Sequence, residues 1–130
     1  MNERTVIKQW MEGDLQFTTF TEPDYDADLS YLEQDYSSDT SITAEEAAEY
    51  RRQDQERLDA YHRDEWYMLM VGCEIQAKTA TNWAIPLMVG RAYLHSIESD
   101  SGSYIDEVAN DMVEEARHDM AALKSVLCAK

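Results

Sequence analysis

The chain has 130 residues, enough for one domain with one core, and a formal net charge of −16. A charge this large repels nucleic acid and anionic membranes, which disfavours both as direct ligands. No apolar run approaches the roughly 20 residues that span a bilayer, and the N-terminus lacks the apolar stretch of a signal peptide. We therefore expect a cytoplasmic protein with reduced cysteines, of which Cys73 lies in the core.

The negative charge is concentrated in one part of the chain. Residues 9–50 contain twelve Asp and Glu and no Lys or Arg, whereas residues 51–130 contain fourteen acids and nine bases. The first eight residues carry a charge of +1, so −12 of the −16 falls in less than a third of the sequence. This asymmetry indicates a charged surface of one sign.

The N-terminal part of the sequence allows two interpretations. Residues 5–11, TVIKQWM, are compatible with a short helix, whereas residues 15–21 favour a β-strand with Leu15, Phe17 and Thr19 on one side. Pro23 ends any regular element. We expect residues 22–42 to form an acidic loop-rich segment or a short helix.

The run from Glu22 to Asp39 contains seven acids, three tyrosines and no Lys or Arg. If residues 24–28 are extended, alternate carboxylates point the same way at steps of about 6.6–6.8 Å, which resembles the phosphate spacing on one nucleic-acid strand. Tyrosines would add amphipathic contact area. Solubility alone is the competing interpretation. The predicted partner-binding residues are Asp24, Asp26, Asp28, Glu33, Asp35, Asp39, Tyr25, Tyr31 and Tyr36.

A helix is predicted over residues 44–63. Thr43 and Glu46 form the pattern of a capping box, and acids in the first turn suit the helix dipole. The i,i+4 pairs Arg52–Glu56 and Asp59–Arg63 add support. The helix is expected to be mostly solvated, because its apolar positions are few: Ala47, Ala48, Leu58 and Tyr61.

Two strands are predicted next. Apolar residues alternate from Tyr67 to Ala77, with Trp66, Met68 and Met70 on the opposite side. This strand is therefore expected to be buried on both faces at first and on one face later. In residues 82–100, Pro86 and Gly90 indicate an edge strand or a bulge. An antiparallel pair with its connection near residues 79–82 is the simplest arrangement.

A C-terminal amphipathic helix is predicted over residues 104–127, with Ser103 as its cap and Asp106 in the first turn. The predicted fold class is α+β: a small antiparallel β-sheet packed against this helix, with a more polar helix before the strands. Residues 1–130 form a single domain. The narrow apolar stripe of the last helix consists of Ile105, Val108, Met112, Ala116, Met120, Leu123 and Leu127.

Metal and catalytic patterns are weak. Glu115 and His118 have the i,i+3 spacing of di-iron bundles, with an echo at Asp59 and His62, but such a site needs further inward-facing carboxylates. We expect a solvated helix face, no metal and no cofactor.

Three serines, at positions 99, 101 and 103, lie near Asp100 and follow His95. Loop serines beside a helix start are usually caps, because a catalytic triad needs an oriented base that sequence proximity does not supply. We therefore expect a protein that is not an enzyme.

Three stretches of the sequence resemble a group of small acidic proteins of phages and prophages. They are DLSYLEQDY (28–36), ERLDAYHRDEWYMLMVGCEIQA (56–77) and residues 94–127, and together they cover about three-quarters of the chain. The best part is the IESDSG run, residues 97–102, followed by Tyr104; Leu94-His95-Ser96 replaces the Leu-Trp-Gly typical of the group. The resemblance implies a strand–strand–helix order and a phage origin, and it implies no activity.

The charge asymmetry and the resemblance together predict a phage-encoded, non-enzymatic inhibitor. It would act as a nucleic-acid mimic on a host protein with a basic nucleic-acid-binding surface, such as a CRISPR effector, a restriction enzyme or a transcription factor. The alternative is a structural or assembly protein that forms an oligomer through an aromatic and methionine-rich sheet. That sheet would present Trp66, Met68, Met70, Trp83 and Met88.

Overall fold

The computed structural model describes residues 3–79 and 82–127, with backbone alone at 78–79, 82–86 and 127. The strands form one antiparallel sheet in the order β1-β2-β3-β4. Two short 3₁₀ helices, Ser30–Leu32 and Tyr36–Ser38, lie between β2 and α1. The predicted α+β class is confirmed. The main elements are β1 (Thr5–Glu12), β2 (Leu15–Pro23), α1 (Ala44–His62), β3 (Met68–Thr79), β4 (Asn82–Glu98) and α2 (Ser103–Leu127).

The first strand corrects the interpretation of residues 5–11 as a short helix. β1 pairs with β2 through a turn in which Gly13 has φ +61°, and Trp10 lies opposite Phe17. Their rings stack with centroids 5.2 Å apart. A short apolar run has no decisive period, so the neighbouring strand decides its conformation. β2 agrees with the strand expected over residues 15–21, and within the described residues β1 extends the predicted strands to a sheet of four.

The alternation of β3 places its side chains on two cores. The first, which we call the main core, holds Leu69, Val71, Cys73 and Ile75 against α2. The second core holds Trp66 and Met68 against Leu32 and Leu58. The prediction of burial on both faces early in this strand is therefore confirmed. The prediction of burial on one face later is wrong, because Glu74, which points away from Cys73 and Ile75, is also buried.

Burial in the main core determines the chemistry of Cys73. The side chain is fully buried, and desolvation raises the pKa of its thiol to about 11. The thiolate is the reactive form, so this cysteine is inert in the folded protein. Its predicted core position is confirmed, whereas Cys128 lies outside the described residues.

The last strand is an edge strand with a bulge, as Pro86 and Gly90 predicted. Gly90 lies opposite Ile75 and Met88 lies opposite Gln76, so Val89 is the extra residue. Gly90 also faces α2 closely, because a Cβ atom there would lie 2.6 Å from the Ala116 carbonyl oxygen. Thr79 pairs with Asn82, and the two residues that connect them lie outside the described chain.

Helix α2 covers one face of the sheet with a wider stripe than the sequence predicted. Val108, Met112 and Ala116 are buried as expected, and Ala109 and Val113 join them. The helix begins at Ser103, so this serine is the first helical residue and not the predicted cap, and Asp106 lies in the first turn. In the stretches that the structure describes, neither α1 nor α2 combines the length and apolar character needed to cross a membrane.

Helix α1 begins with the predicted capping box. The Thr43 hydroxyl accepts from the Glu46 N–H, and the Glu46 carboxylate accepts from the Thr43 N–H, both at 3.0 Å. Ala47 and Leu58 are its buried positions, as predicted, whereas Ala48 is exposed. Most of this helix therefore faces solvent.

Candidate partner-binding surface

Residues 22–23 of the predicted acidic segment belong to β2, and the rest, residues 24–42, which we call the acidic segment, is not an extended strand. Residues 25 and 26 form a turn directly after β2, so the phosphate-like alignment predicted for Asp24, Asp26 and Asp28 is wrong. Asp24 turns inward, with its side chain only 8% exposed. Its carboxylate accepts from the Ser96 backbone N–H at 2.9 Å, at a residue whose φ is +61°. Asp24 therefore supports the fold and is nearly inaccessible to a partner.

Three of the other predicted aspartates form the same local structure. In each case Oδ1 accepts the backbone N–H of the serine two positions later, at 2.8–3.0 Å. Aspartate often forms such Asx turns, so the repeated Asp-x-Ser pattern could have predicted them from the sequence. The turns are Asp28–Ser30, Asp35–Ser37 and Asp39–Ser41.

These hydrogen bonds also stabilise the charged form of each carboxylate. The pKa of Asp28 and that of Asp35 are lowered mainly by the serine backbone N–H, and the pKa of Asp39 is lowered first by the Ser41 hydroxyl. The ordinary pKa of an aspartate is about 3.9. All three therefore remain ionised throughout the physiological range.

Apolar side chains anchor the acidic segment to α1. Leu32 is buried in the second core, and Ala27 and Leu29 pack against that core. Further along, the Tyr36 hydroxyl donates to Asp54, and its ring lies 5.5 Å from the Tyr50 ring. The segment thus packs along α1, a helix of 19 residues that is about 28 Å long.

The three predicted tyrosines donate hydrogen bonds to carboxylates. Tyr25 bonds to Glu3, Tyr31 bonds to Glu98 and Tyr36 bonds to Asp54. Each bond raises the tyrosine pKa, although for Tyr31 burial contributes more than the hydrogen bond does. Tyr25 is the most accessible of the three, at 76% exposed.

The remaining predicted acids are exposed. Asp26 and Glu33 are exposed, as are the three Asx-turn aspartates. Four arginines lie in α1 or directly after it. Of these, within the described chain, only Arg51 is within ion-pair distance of the acidic segment, 3.7 Å from Asp35. The other arginines pair elsewhere: Arg52 with Glu49 and Glu56, Arg57 with Asp100 and Glu98, and Arg63 with Glu65.

The residues weighed for catalysis have structural contacts. Ser99 accepts from the Tyr67 N–H, and the Ser101 hydroxyl donates to the Glu98 carbonyl. His95 approaches Asp24 at 3.7 Å. These serines build the turn before α2. Across the described residues, no three His, Cys, Asp or Glu side chains are grouped to hold a metal ion.

The surface predicted for the assembly alternative is partly internal. Trp66 and Met68 are each 2% exposed, because both belong to the second core. The guanidinium of Arg57 also covers the Trp66 ring at 3.8 Å. Met70 and Met88 are half-buried, and the side chain of Trp83 lies outside the description. Trp66 and Met68 therefore cannot contribute to an exposed sheet surface, and the assembly alternative stays a prediction.

A charged cluster on the sheet face that points away from α2 was not predicted. Glu74 is 8% exposed and accepts from Arg4 at 2.6 Å and from the Tyr93 hydroxyl at 2.7 Å. Burial by itself would raise the pKa of Glu74, but these hydrogen bonds outweigh it and hold that pKa below its usual value. Arg4 also covers the Phe20 ring at 3.7 Å. No local pattern links partners 70 residues apart.

Comparison of the chain with protein-family models, curated proteins and solved structures found no match. The resemblance to acidic phage proteins therefore stays a prediction from the sequence motifs.

Proposed function

We propose that this chain is a phage-encoded acidic protein that binds and inhibits a nucleic-acid-binding protein in the host cytoplasm. It would act without catalysis, by occupying the basic surface that nucleic acid otherwise contacts. The observation that carries the proposal is the acidic segment itself. Five exposed carboxylates lie on a backbone that Leu32 anchors to the second core. Among the described residues, only one of the five, Asp35, lies within ion-pair distance of an arginine of α1.

The charge of the surrounding region supports this function. Residues 24–65, which include the acidic segment and α1, contain fourteen acids and four arginines, a net charge of −10. Three of those arginines pair with acids outside the segment. The field of this side of the protein is therefore negative, which would steer a basic partner toward it and speed association at low salt.

The Asx turns support a binding role beyond solubility. Each turn fixes an aspartate through its own backbone, so the carboxylates are held in place before a partner arrives. Prior ordering reduces the entropy cost of association. Tyr25 and Tyr31 would add amphipathic contact area beside the charges, which interfaces favour.

The phage origin in this proposal comes from the sequence. Residues 99–102 of the IESDSG run form the turn that leads into α2, whereas residues 97–98 end β4 and Tyr104 lies in the first turn of α2. The resemblance of these motifs is the basis for this part of the proposal, and a phage protein of this charge suits an anti-CRISPR or other anti-defence role.

Asparagine substitutions at the three Asx turns test the proposal. Asp28→Asn, Asp35→Asn and Asp39→Asn remove three charges but keep an oxygen that can accept the turn hydrogen bond. The wild-type protein, immobilised, is exposed to nuclease-treated host lysate at low and at high salt. We expect the wild type to retain a basic protein at low salt. Once that protein is purified, the wild type should displace nucleic acid from it, and the triple variant should do this about tenfold more weakly.

The matched control is a triple variant with the same change in charge elsewhere: Asp14→Asn, Glu107→Gln and Glu115→Gln, all exposed positions. It should bind almost as the wild type does. Equal loss in both variants would indicate that net charge alone matters. Unchanged competition by the Asx-turn variant, with its fold intact, would refute the proposal.

A further inference from the structure

Strand β1 is an open edge of the sheet. It is the outermost strand and pairs only with β2 in the part of the chain that the structure describes. Over eight residues its outer side therefore presents backbone N–H and C=O groups to solvent. An extended segment of another protein can pair with such an edge, and the backbone hydrogen bonds supply affinity.

The two sides of β1 differ in chemistry. Val6 and Met11 lie on the sheet face away from α2 and are 52% and 50% exposed. Lys8 and Trp10 lie on the α2 side, opposite Thr19 and Phe17. A strand added to this edge would place alternate side chains beside these two different surfaces.

Helix α2 does not cover β1, and a groove of about 530 Å³ lies between them. Trp10, Ile7 and Val113 contribute apolar lining to it. The α2 wall carries Asp106, Asn110 and Glu114 at steps of four residues, which places them in a row along the helix. The ion pair between Glu12 and Arg117, at 2.6 Å, joins β1 to α2 near the end of this row.

We propose that β1 and this groove bind an extended segment of a partner protein in which basic and apolar residues alternate. The basic side chains would face Asp106 and Glu114, and the apolar ones would continue the exposed row of Val6 and Met11. Charge complementarity selects this occupant. Lys8 is a single opposing charge in a groove that Asp106, Asp111 and Glu114 make negative.

A second copy of this chain is a poor occupant for the same reason. Each copy carries a net charge of −16, and pairing β1 with β1 would bring two acidic α2 rows toward one shared edge. This inference goes beyond the proposed function, because the groove uses β1 and α2 rather than the acidic segment.

Peptide binding to the folded protein tests the inference. The probes are acetylated, amidated peptides of equal composition and charge: the alternating KVKVKVK and the block sequence KKKKVVV. We expect fluorescence anisotropy to show about tenfold tighter binding of the alternating peptide, because only alternation matches the two sides of an added strand. Hydrogen exchange should slow at outward-facing amides of β1 when it binds.

Paired variants of α2 separate the groove from general charge. Asp106→Asn with Glu114→Gln should weaken the alternating peptide several-fold. Glu107→Gln with Glu115→Gln, an equal charge change outside the groove, should leave it nearly unchanged. Three results would overturn the inference: equal affinity for both peptides, no slowing of exchange in β1, or slowing that grows with protein concentration in the absence of peptide. The last result would identify a second copy as the occupant.

Discussion

The main core lies between the sheet and α2, whereas the second core joins the acidic segment and α1 to the start of β3. Among the described side chains, eleven buried residues form the main core, but only four form the second. The side with the smaller core also carries most of the charge, −10 of −16 in residues 24–65. Like charges oppose compaction, and this region has the least apolar burial to offset that repulsion. The surface that we propose binds a partner is therefore held by the smaller core.

This difference separates stability from binding. Regions with few buried contacts open at lower free energy than the rest of a protein. We therefore expect the main core to set the global stability and the second core to set the order of the acidic segment. Substitutions that act on one region should leave the other largely intact.

The largest expected effect comes from the main core. Phe17 is fully buried between β1 and α2, with the Arg117 guanidinium 4.5 Å from its ring centre. Phe17→Ala should reduce the free energy of unfolding by about 3–5 kcal/mol, measured by urea denaturation. In a Cys128→Ser background, a thiol reagent should then reach Cys73 much faster.

The matched substitution in the second core is Leu32→Ala. Leu32 lies at the edge of its cluster and is 8% exposed, so we expect a loss of about 2 kcal/mol, the lower end of the range for such changes. The acidic segment should lose protection from hydrogen exchange while Cys73 stays unreactive. Equal acceleration of the Cys73 reaction in both variants would show that the two cores unfold as one.

A smaller effect is expected at the junction between the acidic segment and α1. Thr43→Ala removes the hydroxyl that accepts from the Glu46 N–H, and should cost about 1 kcal/mol in urea unfolding. Thr43→Ser keeps this bond and serves as the control. If the alanine and serine variants are equally stable, the capping box contributes nothing at this helix start.

The smallest effect concerns the exposed ion pair that joins β1 to α2. Hydrogen bonds from Arg117, and then from Trp10, lower the pKa of Glu12 from 4.5 to about 2. A lowered pKa means that the stabilisation is complete above pH 4.5 and is lost as pH falls toward about 2. The difference in melting temperature between wild type and Glu12→Gln should shrink over that window. A difference independent of pH would show that the carboxylate charge is not involved.

Much of the fold could be predicted because its signals are local. The capping box at Thr43 depends on residues three positions apart, and the alternation of β3 depends on residues two apart. The edge position and bulge of β4 followed from Pro86 and Gly90, which weaken regular pairing. The acids of the candidate surface were likewise visible as composition, although the Asp-x-Ser pattern in them was not interpreted.

Tertiary contacts decided the remainder. The sequence by itself determined the charge asymmetry, which is a matter of composition. It also determined the start of α1 and the side-chain alternation of β3, since each depends on neighbours within a few residues. Only the folded chain turned Asp24 inward toward Ser96 and brought Arg4 onto Glu74, because these partners are 70 or more residues apart and local periodicity contains no information about them. The partner of β1 is near in sequence, but pairing across the turn, rather than the period of residues 5–11, makes it a strand. The open edge of β1 and its acidic groove belong to the same class, since both exist only once the sheet and α2 have packed.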